Sequence, residues 1–516
     1  MNHANATVAG ILYDAAQSCP DRLAVVSPSG QGITYAALVD RGLRLGHALL
    51  DGQLGPGNRV AAWMEDSVEY VQLYVACALA GLVLVPINKR FTEHEARQIV
   101  EHAEPAALVF SASLGARVSA LAKDFPAIRT IGVESAPVAQ DQFEELIGTG
   151  ANEPLPTPSP EDLYIIGYTS GTTGPAKGAM LTQGSVATLA RMNTVSYRLP
   201  VGSVAALTGS MSFVAVVPSH IISHFYARGT VHLLGRWDVE SLLVSIERHQ
   251  ANFTYIPSPL IQDFADAAAT DPSRWQSLDT VLHSASKVAA GQLRRLADVI
   301  GPRLVEGWGM TENSGGLVTA TTPADVRCRP AGLDRLGTVG RAVPEVVVRI
   351  VDSGGGHLPH DGTTVGEIIF RSPALMAGYW KNPQATQAAL RDGWYYSGDL
   401  GTIDADGYVC ISDRRADLII SGGMNIYPYE VEECILRLAG VAACAVVGTT
   451  HERWGQAVVA VVVRDAGSDL DEAGVVEHCR TWLASYKKPT RVVFVDSLPT
   501  TSSLKVSRHA VRELLS

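Results

Sequence analysis

Short apolar runs that end in polar loops are the feature of this sequence that most constrains its fold. Residues 59–63 read as a strand, and residues 67–80 have the periodicity of a helix. Further strands of the same kind lie at residues 82–86, 163–167, 281–283 and 304–306. The last three run into loops rich in Gly, Ser or Thr. Alternating strands and helices predict parallel α/β layers, in which ligands bind at the carboxyl ends of the strands.

Changes of composition along the chain predict its domains. The chain has 516 residues, which is too long for one hydrophobic core, so two or more domains are expected. From about Gly337 to Ser372 the sequence becomes rich in β-forming residues and tight turns, and beyond about Asp413 it again mixes helix and strand. We therefore expect a large N-terminal part over residues 1–413, with a β-rich subdomain over about 337–413. A small α+β domain is expected over residues 414–516.

Charge and cysteine usage narrow the classes of partner and compartment. The net charge of −11, without any run of Lys or Arg, argues against nucleic acid or an anionic membrane as the main partner. The seven cysteines are scattered without a CxxC pair, which is typical of buried thiols in a reducing compartment. No signal peptide is evident, and the longest apolar stretch, near residues 75–87, is too short to span a bilayer. A cytoplasmic protein is expected.

The loop YTSGTTGPAKGAMLT, residues 168–182, is suited to binding phosphate. It offers glycines that free backbone N–H groups, several hydroxyl donors and one mobile cation, Lys177. It is not a P-loop, because Ala176 stands where that motif requires glycine and Gly178 stands where it requires Ser or Thr. Taken alone, such a loop is equally consistent with a polar surface turn.

Read with this loop, four further motifs resemble those of the adenylate-forming superfamily, in its acyl-CoA synthetase (acid–CoA ligase) branch. They are EGWGMTE at 306–312, YYSGDLG at 395–401, DRRADLIISGGMNIYPYEVE at 413–432 and LPTTSSLKVSR at 498–508. The resemblance implies ATP-dependent conversion of a carboxylic acid to acyl-AMP with release of pyrophosphate, and then transfer to CoA as a thioester. It implies ATP, Mg²⁺ and the co-substrate CoA, a monomer or homodimer, two α/β sheet subdomains before the β-rich one, and a C-terminal domain that moves between half-reactions.

The resemblance also implies roles for individual residues in the nucleotide site. The β- and γ-phosphates would be held by Thr169, Ser170, Gly171, Thr172, Thr173, Gly174 and Lys177. Trp308, after Gly307 in the same motif, would lie against adenine, while Asp399 would accept the ribose hydroxyls. The remaining implied roles are the α-phosphate contact of Thr311, the Mg²⁺ ligand Glu312, the linker residue Arg414 and the catalytic lysine of adenylation, Lys505.

Two departures from the family pattern keep an alternative function open. Ala416 occupies the hinge, where relatives usually carry Asp or Lys, and Leu504 precedes the catalytic lysine, where they usually carry Gly. Gly422 and Gly423, which line the thiol tunnel in relatives, are present. The alternative is an enzyme that only adenylates its acid and hands the acyl-AMP to a carrier-protein thiol or a partner ligase. A catalytically inactive homologue is disfavoured by the intact lysines and carboxylates, and luciferase-type oxygenation is a further alternative.

The stretch around residues 211–225 indicates the class of acid. It carries no aspartate to bind an α-amino group, which argues against an amino-acid substrate, and Phe213–Val214 stands where family ligases often have Phe–His. His220 and His224 could share a helix face, but no third metal ligand is evident, so a pocket or core histidine is expected. Apolar and small residues predict space for a bulky, largely apolar acid. The expected pocket residues are Phe213, Val214, Val217, His220, Ser284, Ala285, Ser286, Gly309, Gly315 and Gly316.

Overall fold

The computed structural model describes most of the chain. The described residues are 6–52, 54–134, 136–169, 177–235, 238–284, 288, 290–327, 335–414, 417–421, 424–451, 454–483, 486–501 and 505–515. Within these ranges, each helix is too short or too polar to cross a membrane.

Strands and helices alternate through the first two thirds of the chain. The strands are β1 Leu23–Val26, β2 Gly32–Thr34, β3 Arg59–Trp63, β4 Val83–Ile87, β5 Ala107–Ser111, β6 Arg129–Val133, β7 Asp141–Gln142, β8 Leu163–Thr169, β9 Lys177–Thr182, β10 Val204–Leu207, β11 Thr230–Leu233, β12 Phe253–Tyr255, β13 Thr280–His283, β14 Leu304–Gly309, β15 Leu317–Ala320, β16 Arg341–Ala342, β17 Val347–Val351, β18 Gly366–Arg371, β19 Gly378–Tyr379, β20 Leu390–Arg391, β21 Trp394–Ile403, β22 Val409–Arg414, β23 Ile419–Ser421, β24 Met424–Ile426, β25 Val441–His451, β26 Gly455–Arg464 and β27 Arg491–Phe494. The α-helices are α1 Val8–Ser18, α2 Tyr35–Asp51, α3 Val68–Ala80, α4 Glu93–Ala103, α5 Gly115–Asp124, α6 Phe143–Thr149, α7 Gln183–Ser196, α8 Ile222–Tyr226, α9 Val239–His249, α10 Ile261–Thr270, α11 Ala290–Ile300, α12 Pro323–Arg327, α13 Pro383–Ala389, α14 Pro428–Ile435, α15 Glu472–Trp482 and α16 Arg508–Glu513.

Local signals explain the first β3–α3–β4 unit. The hydroxyl of Ser67 accepts a hydrogen bond from the N–H of Tyr70 and so caps α3, as expected for a serine at this position. Gly81 ends the helix with a φ of +64°, a conformation that glycine adopts without a Cβ penalty. β3 and β4 are parallel neighbours. The strand, helix and strand predicted between residues 59 and 86 are confirmed to within one residue at each end.

Two large sheets share the main hydrophobic core. The nine-stranded sheet has the order β16-β15-β14-β13-β12-β10-β11-β1-β2, and the eight-stranded sheet has the order β19-β9-β8-β4-β3-β5-β6-β7. Leu84 and Ile165 of one sheet and Phe253, Leu282 and Val305 of the other belong to the same buried cluster. The parallel order β12-β13-β14 places the carboxyl ends of these strands side by side. The predicted α/β class is confirmed.

The β-rich stretch supplies a third, antiparallel sheet and two strands to the larger sheets. β17, β18, β21 and β20 are neighbours in this order, and β22 also pairs with β21. The short strands β16 and β19 also come from this part of the sequence, but they belong to the two larger sheets, where they pair with β15 and β9. Elements of the β-rich region therefore lie directly against the ends of β9 and β14.

The C-terminal residues form a fourth sheet with its own core. Its order is β24-β23-β26-β25, with β27 beside β26, and among the described residues its hydrophobic clusters consist of side chains after residue 418. Arg508 of α16 binds the carboxylate of Glu432 at 2.7 and 2.8 Å, and Arg512 binds Asp417 at 2.9 Å. A domain boundary at residues 413–414 and motion of this unit remain predictions.

Candidate active site

The β8–β9 hairpin carries both ends of the predicted phosphate loop. Thr169 and Lys177 are partners across the antiparallel ladder, and the Thr169 hydroxyl donates a hydrogen bond to the Lys177 carbonyl at 3.4 Å. Thr169 is half-buried and Lys177 is exposed. Five other predicted phosphate ligands lie outside the described residues, namely Ser170, Gly171, Thr172, Thr173 and Gly174. The described ends place this loop at the carboxyl end of β8.

Gly167 lets two other predicted site residues pack against β8. A Cβ at this position would lie 2.4 Å from Cγ2 of Val214 and 3.1 Å from Cγ2 of Thr311. Side chains do not tolerate the shorter of these separations without movement, so the close approach depends on glycine. The residues predicted for the acid pocket and for the α-phosphate therefore meet at the strand that leads into the phosphate loop.

Trp308 and Asp399 come from different sheets and contact each other directly. The indole N–H of Trp308 in β14 donates a hydrogen bond to Oδ2 of Asp399 in β21 at 2.8 Å. Both side chains are buried, and the indole packs edge-on against Phe370. Gly307 precedes Trp308 and packs closely on Leu317, because a Cβ there would lie 2.8 Å from Cδ2 of that leucine. A carboxylate can accept several hydrogen bonds, of which the bond from Trp308 is one.

Glu312 accepts a hydrogen bond from a buried tyrosine pair. It follows Thr311 in a short 3₁₀ turn after β14, and its Oε1 accepts from the hydroxyl of Tyr379 at 2.8 Å. The hydroxyls of Tyr379 and Tyr395 lie 3.2 Å apart. Since Tyr379 gives its single proton to Glu312, Tyr395 is the donor to Tyr379. Burial, followed by the charge of Glu312, raises the pKa of Tyr395 far above its ordinary value, so that it remains a donor.

Tyr379 also links Glu312 to the phosphate hairpin. The Nζ atom of Lys177 lies 5.4 Å from the centroid of the Tyr379 ring, a favourable position for a cation. Tyr379 is held there because it pairs with Ala179 of β9. The predicted phosphate lysine and the predicted metal-binding carboxylate therefore contact the same tyrosine: Lys177 lies over its ring, and Glu312 accepts from its hydroxyl. Sequence reasoning did not select Tyr379, although the aromatic pair at residues 379–380, followed by the polar Lys381 and Asn382, was a usable signal.

The predicted linker, tunnel and catalytic-lysine residues are partly described. Arg414 ends β22 and is the ladder partner of Asp399 in β21, which places the start of the linker beside the predicted ribose site. Four positions lie outside the described residues: Ala416, Gly422, Gly423 and Leu504. Lys505 is exposed, and its carbonyl accepts a hydrogen bond from the Thr501 N–H at 2.7 Å.

A π-helix over Ala215–Ile221 follows Val214 in the predicted acid pocket. The helix contains Pro218, whose missing N–H interrupts the regular α-helical bonding pattern. Val214 and Val217 are buried and Phe213 is half-buried. Single π-helical turns are frequent at functional sites, because they re-aim side chains that a regular helix would place elsewhere.

His220, in this π-helix, is enclosed by aromatic rings. Only 3% of the residue is exposed, and its ring centroid lies 5.6 Å from that of Tyr197, 6.0 Å from Phe253 and 5.2 Å from Tyr255. Its Nδ1 has no hydrogen-bond partner among the described residues. Burial, followed by the nearby His224, lowers the pKa of His220 to about 3, so the imidazole is neutral at physiological pH.

Three glycines expected to leave space in the acid pocket instead allow close packing. A Cβ on Gly309 would lie 2.2 Å from the Gly316 carbonyl oxygen, and one on Gly316 would lie 1.9 Å from Cδ1 of Leu189. Gly315 has a φ of +81°, and its Cβ would lie 2.7 Å from the carbonyl carbon of Val214. The prediction that these glycines leave volume for the acid is wrong, because protein atoms already fill the positions. Their place in the pocket wall stays a prediction.

A chain of polar side chains links the segment after β12 to β13 and β14. His283 Nδ1 donates to the carboxylate of Glu306 at 2.5 Å, and the hydroxyl of Ser258 lies 2.9 Å from His283 Nε2. Next to His283, the carbonyl of half-buried Ser284 accepts a weak hydrogen bond from Tyr255 at 3.5 Å. Two predicted pocket residues, Ala285 and Ser286, lie outside the described residues. Sequence reasoning missed this chain, because each member is an isolated polar residue near an apolar strand.

Known proteins match this chain over almost its whole length. Residues 12–380 match the family model of the AMP-binding enzymes, and residues 430–505 match that of the AMP-binding enzyme C-terminal domain. The feruloyl-CoA synthase of an Amycolatopsis species is 34% identical over 510 residues, which cover 96% of this chain and 98% of that protein. The indoleacetate–CoA ligase of Aromatoleum aromaticum is 32% identical over 504 residues, 96% of either chain. The crystal structure of ATP-bound MatB from Rhodopseudomonas palustris has a TM-score of 0.89 at 31% identity, over 99% of this chain and 98% of MatB.

Proposed function

The chain belongs to the AMP-binding enzyme family, and we propose that it is an ATP-dependent ligase that joins a bulky, largely apolar carboxylic acid to CoA. The acid attacks the α-phosphate of ATP to give acyl-AMP and pyrophosphate, and the CoA thiol then displaces AMP. The observation that carries this proposal is the cluster of Lys177, Tyr379 and Glu312 beside the Trp308–Asp399 pair. It brings together a cation from β9, a carboxylate from the turn after β14, and two nucleoside-binding candidates from β14 and β21.

The described residues fit a nucleotide bound with Mg²⁺. Glu312, held in place by the hydroxyl of Tyr379, would hold the ion, and the ion would neutralise charge on the phosphates. Mg²⁺ is commonly bound in this way, by one or two carboxylates and substrate phosphates. A site of this kind does not require three metal-binding side chains from the protein. The described ranges contain no group of three His, Cys, Asp or Glu residues that could hold a metal ion. Lys177 and Thr169 bind the β- and γ-phosphates with the loop between them, and Thr311 donates to the α-phosphate, so catalysis rests on positioning and charge stabilisation.

The nucleoside is held between β14 and β21. Trp308 lies against the adenine face, and the carboxylate of Asp399, which the indole N–H of Trp308 holds in place, accepts the ribose hydroxyls. Arg414 assists from the start of the linker, where it is the ladder partner of Asp399.

Lys505 supplies the second cation of adenylation, and the C-terminal domain brings it to the site. The separate core of the C-terminal sheet supports motion as a unit, with residues 414–516 turning about Ala416. Before the second half-reaction the domain turns about the same hinge, and this movement brings Gly422 and Gly423 to the CoA thiol. Hinge rotation at a few linker residues is a common means of domain movement.

The acid is large and mostly apolar. Val217 in the π-helix and Val214 just before it present buried aliphatic surface, and the rings of Phe253 and Tyr255 pack against His220 of the same helix. Burying apolar substrate surface here is favourable by about 25 cal/mol per Å², which rewards a ring-containing acid over a two-carbon acid. The two curated relatives described above are named for acids with aromatic rings.

CoA is the acceptor thiol. Both curated relatives are named as CoA ligases or synthases, which does not favour an enzyme that stops at the adenylate or uses a carrier protein.

A panel of carboxylic acids tests the proposal. The full-length protein is incubated with ATP, Mg²⁺ and each acid, with and without CoA, and pyrophosphate and thioester are measured separately. We expect both products with ring-containing acids, and poor activity with acetate and propionate. Pyrophosphate without thioester would contradict the CoA step, and equal kcat/KM values for acetate and large cyclic acids would contradict the substrate class.

A further inference from the structure

The end of the β8–β9 hairpin that carries Lys177 has support from the sheet on one side. Thr169 and Lys177 form the last described pair of the β8–β9 ladder. The other neighbour of β9 is β19, which pairs with it only up to Ala179, two residues short of the lysine. Within the described part of the chain, Lys177 therefore has a ladder partner on one side only. Side-chain contacts near the end of the hairpin must fix the position from which the lysine extends.

The ring of Tyr168 covers the main chain next to Lys177. Tyr168 is the ladder partner of Gly178. A Cβ on Gly178 would lie 3.3 Å from Cζ of Tyr168 and 3.5 Å from Cβ of Trp380. Because side chains alternate along a strand, Tyr168 lies on the opposite face of the hairpin from Thr169. A shift of the Tyr168 ring therefore moves the main chain of the residue that follows the phosphate lysine.

His102, in the last turn of α4, holds both aromatic residues that cover Gly178. Its Nδ1 lies 2.7 Å from the hydroxyl of Tyr168, and the two rings meet edge-on with their centroids 5.8 Å apart. Its carbonyl accepts a hydrogen bond from the indole N–H of Trp380 at 3.3 Å. Buried side chains such as Val100 fix α4 in turn. The end of a packed helix is thus tied to the end of the hairpin.

The protonation states of His102 and Tyr168 suit a hydrogen bond between neutral groups. Burial, followed by the charge of Lys381, lowers the pKa of His102, although Glu104 opposes this effect. Lys381 and Glu104 are themselves an ion pair at 2.7 Å. Burial raises the pKa of Tyr168 above its ordinary value. The phenol therefore keeps its proton, and a neutral imidazole has one nitrogen that accepts it.

We propose that His102 is a positioning residue for ATP binding, which holds Tyr168 and through it sets the place of Lys177 at the β- and γ-phosphates. The inference rests on the proposed function, since it takes Lys177 as a phosphate ligand. His102 acts through the tyrosine and not on the phosphates. Without the hydrogen bond, the main chain beside Lys177 has more freedom in the absence of ATP, and ordering it on binding lowers the affinity.

Calorimetric titration of the full-length protein with MgATP, without acid, tests the inference. His102→Leu and Tyr168→Phe should each raise the Kd by roughly two- to tenfold, the range expected for one hydrogen bond between neutral groups. The double variant should bind no more weakly than either single variant, because both changes remove the same bond. His102→Asn, which keeps a polar atom near the position of Nδ1, should retain part of the affinity. His94→Leu is the matched control, because this histidine of the same helix is exposed and contacts Gln98 at 3.2 Å.

Steady-state kinetics separate positioning from a general loss of structure. In pyrophosphate release, the KM for ATP should rise by a similar factor in His102→Leu, while the KM for the acid stays native. A protein that is merely less stable would lose active molecules, which lowers kcat and leaves both KM values unchanged.

The outcomes also separate this inference from the proposed function. A native Kd for MgATP in folded His102→Leu or Tyr168→Phe overturns it, and so do additive losses in the double variant or an equal loss in His94→Leu. Absence of pyrophosphate release with every acid of the panel would instead contradict the proposed function, and the titration would still decide the role of His102. If circular dichroism shows that His102→Leu is not folded, Tyr168→Phe decides the question: weaker binding supports the inference, and native binding overturns it.

Discussion

Replacing Tyr379 by phenylalanine removes one oxygen atom from between two buried groups. In the native protein this oxygen donates to Glu312 at 2.8 Å and accepts from Tyr395 across 3.2 Å. The ring itself stays in place beneath Lys177, so the substitution tests the hydroxyl alone. Because all three members of the hydrogen-bonded chain are buried, bulk water does not take over the role of the missing oxygen.

The size of the effect follows from the charge of the acceptor. A hydrogen bond to a charged group contributes about 1.5–3 kcal/mol, and every 1.4 kcal/mol corresponds to about a factor of ten. If that energy orients Glu312 for the metal, Tyr379→Phe should lower kcat/KM for ATP by roughly 10- to 150-fold. The fall should be accompanied by a higher Mg²⁺ requirement, because Glu312 is the proposed ligand of the ion.

Pyrophosphate release measured against MgCl₂ concentration, at saturating acid, checks this expectation. Tyr396→Phe is the control, because this neighbouring tyrosine packs against the guanidinium of Arg391 at 4.2 Å rather than against Glu312. Only Tyr379→Phe should shift the Mg²⁺ titration. A folded Tyr379→Phe protein with native Mg²⁺ dependence and native kcat/KM for ATP would refute the reasoning.

Three further predictions concern the lysine, the hairpin and the buried histidines. Lys505→Ala should lower pyrophosphate release by orders of magnitude and affect thiolysis of supplied acyl-AMP much less, because its charge is needed beside the phosphate during adenylation; equal losses in both assays would contradict this. Gly167→Ala should lower the Tm, at a cost of about 1–3 kcal/mol, since the new Cβ would lie 2.4 Å from Cγ2 of Val214; a native Tm would argue against it. Burial lowers the pKa of His220 to about 3 and that of His224 to about 4, so the unfolded chain binds more protons and stability falls as the pH drops from about 6.5 toward 4. Each histidine contributes up to about 1.4 kcal/mol per pH unit, so the loss of stability between pH 7 and pH 5, measured by urea unfolding, should become smaller when both are replaced by leucine; His232, whose pKa burial also lowers to about 4, retains its share.

Local patterns were sufficient to predict much of the fold. The β3–α3–β4 unit was predictable because strand length, the capping Ser67 and the terminating Gly81 all act within a few residues of the chain. The motifs around Glu312 and Asp399 likewise indicated the family, because residue types at fixed spacing carry that information. Neither kind of pattern specifies which side chains touch.

The contacts of the site were decided by the tertiary structure. Trp308 and Asp399 are 91 residues apart in the chain, and Glu312 and Tyr379 are 67 apart, so their hydrogen bonds depend on how the sheets pack. The same packing turned Gly316 from an expected space in the pocket into a close contact with Leu189. The sequence by itself determined the alternation of strands and helices and the residue types available for chemistry, because both are local. The sheet packing alone decided which of those residues meet, because a hydrogen bond requires a separation of about 3 Å that no spacing along the chain prescribes.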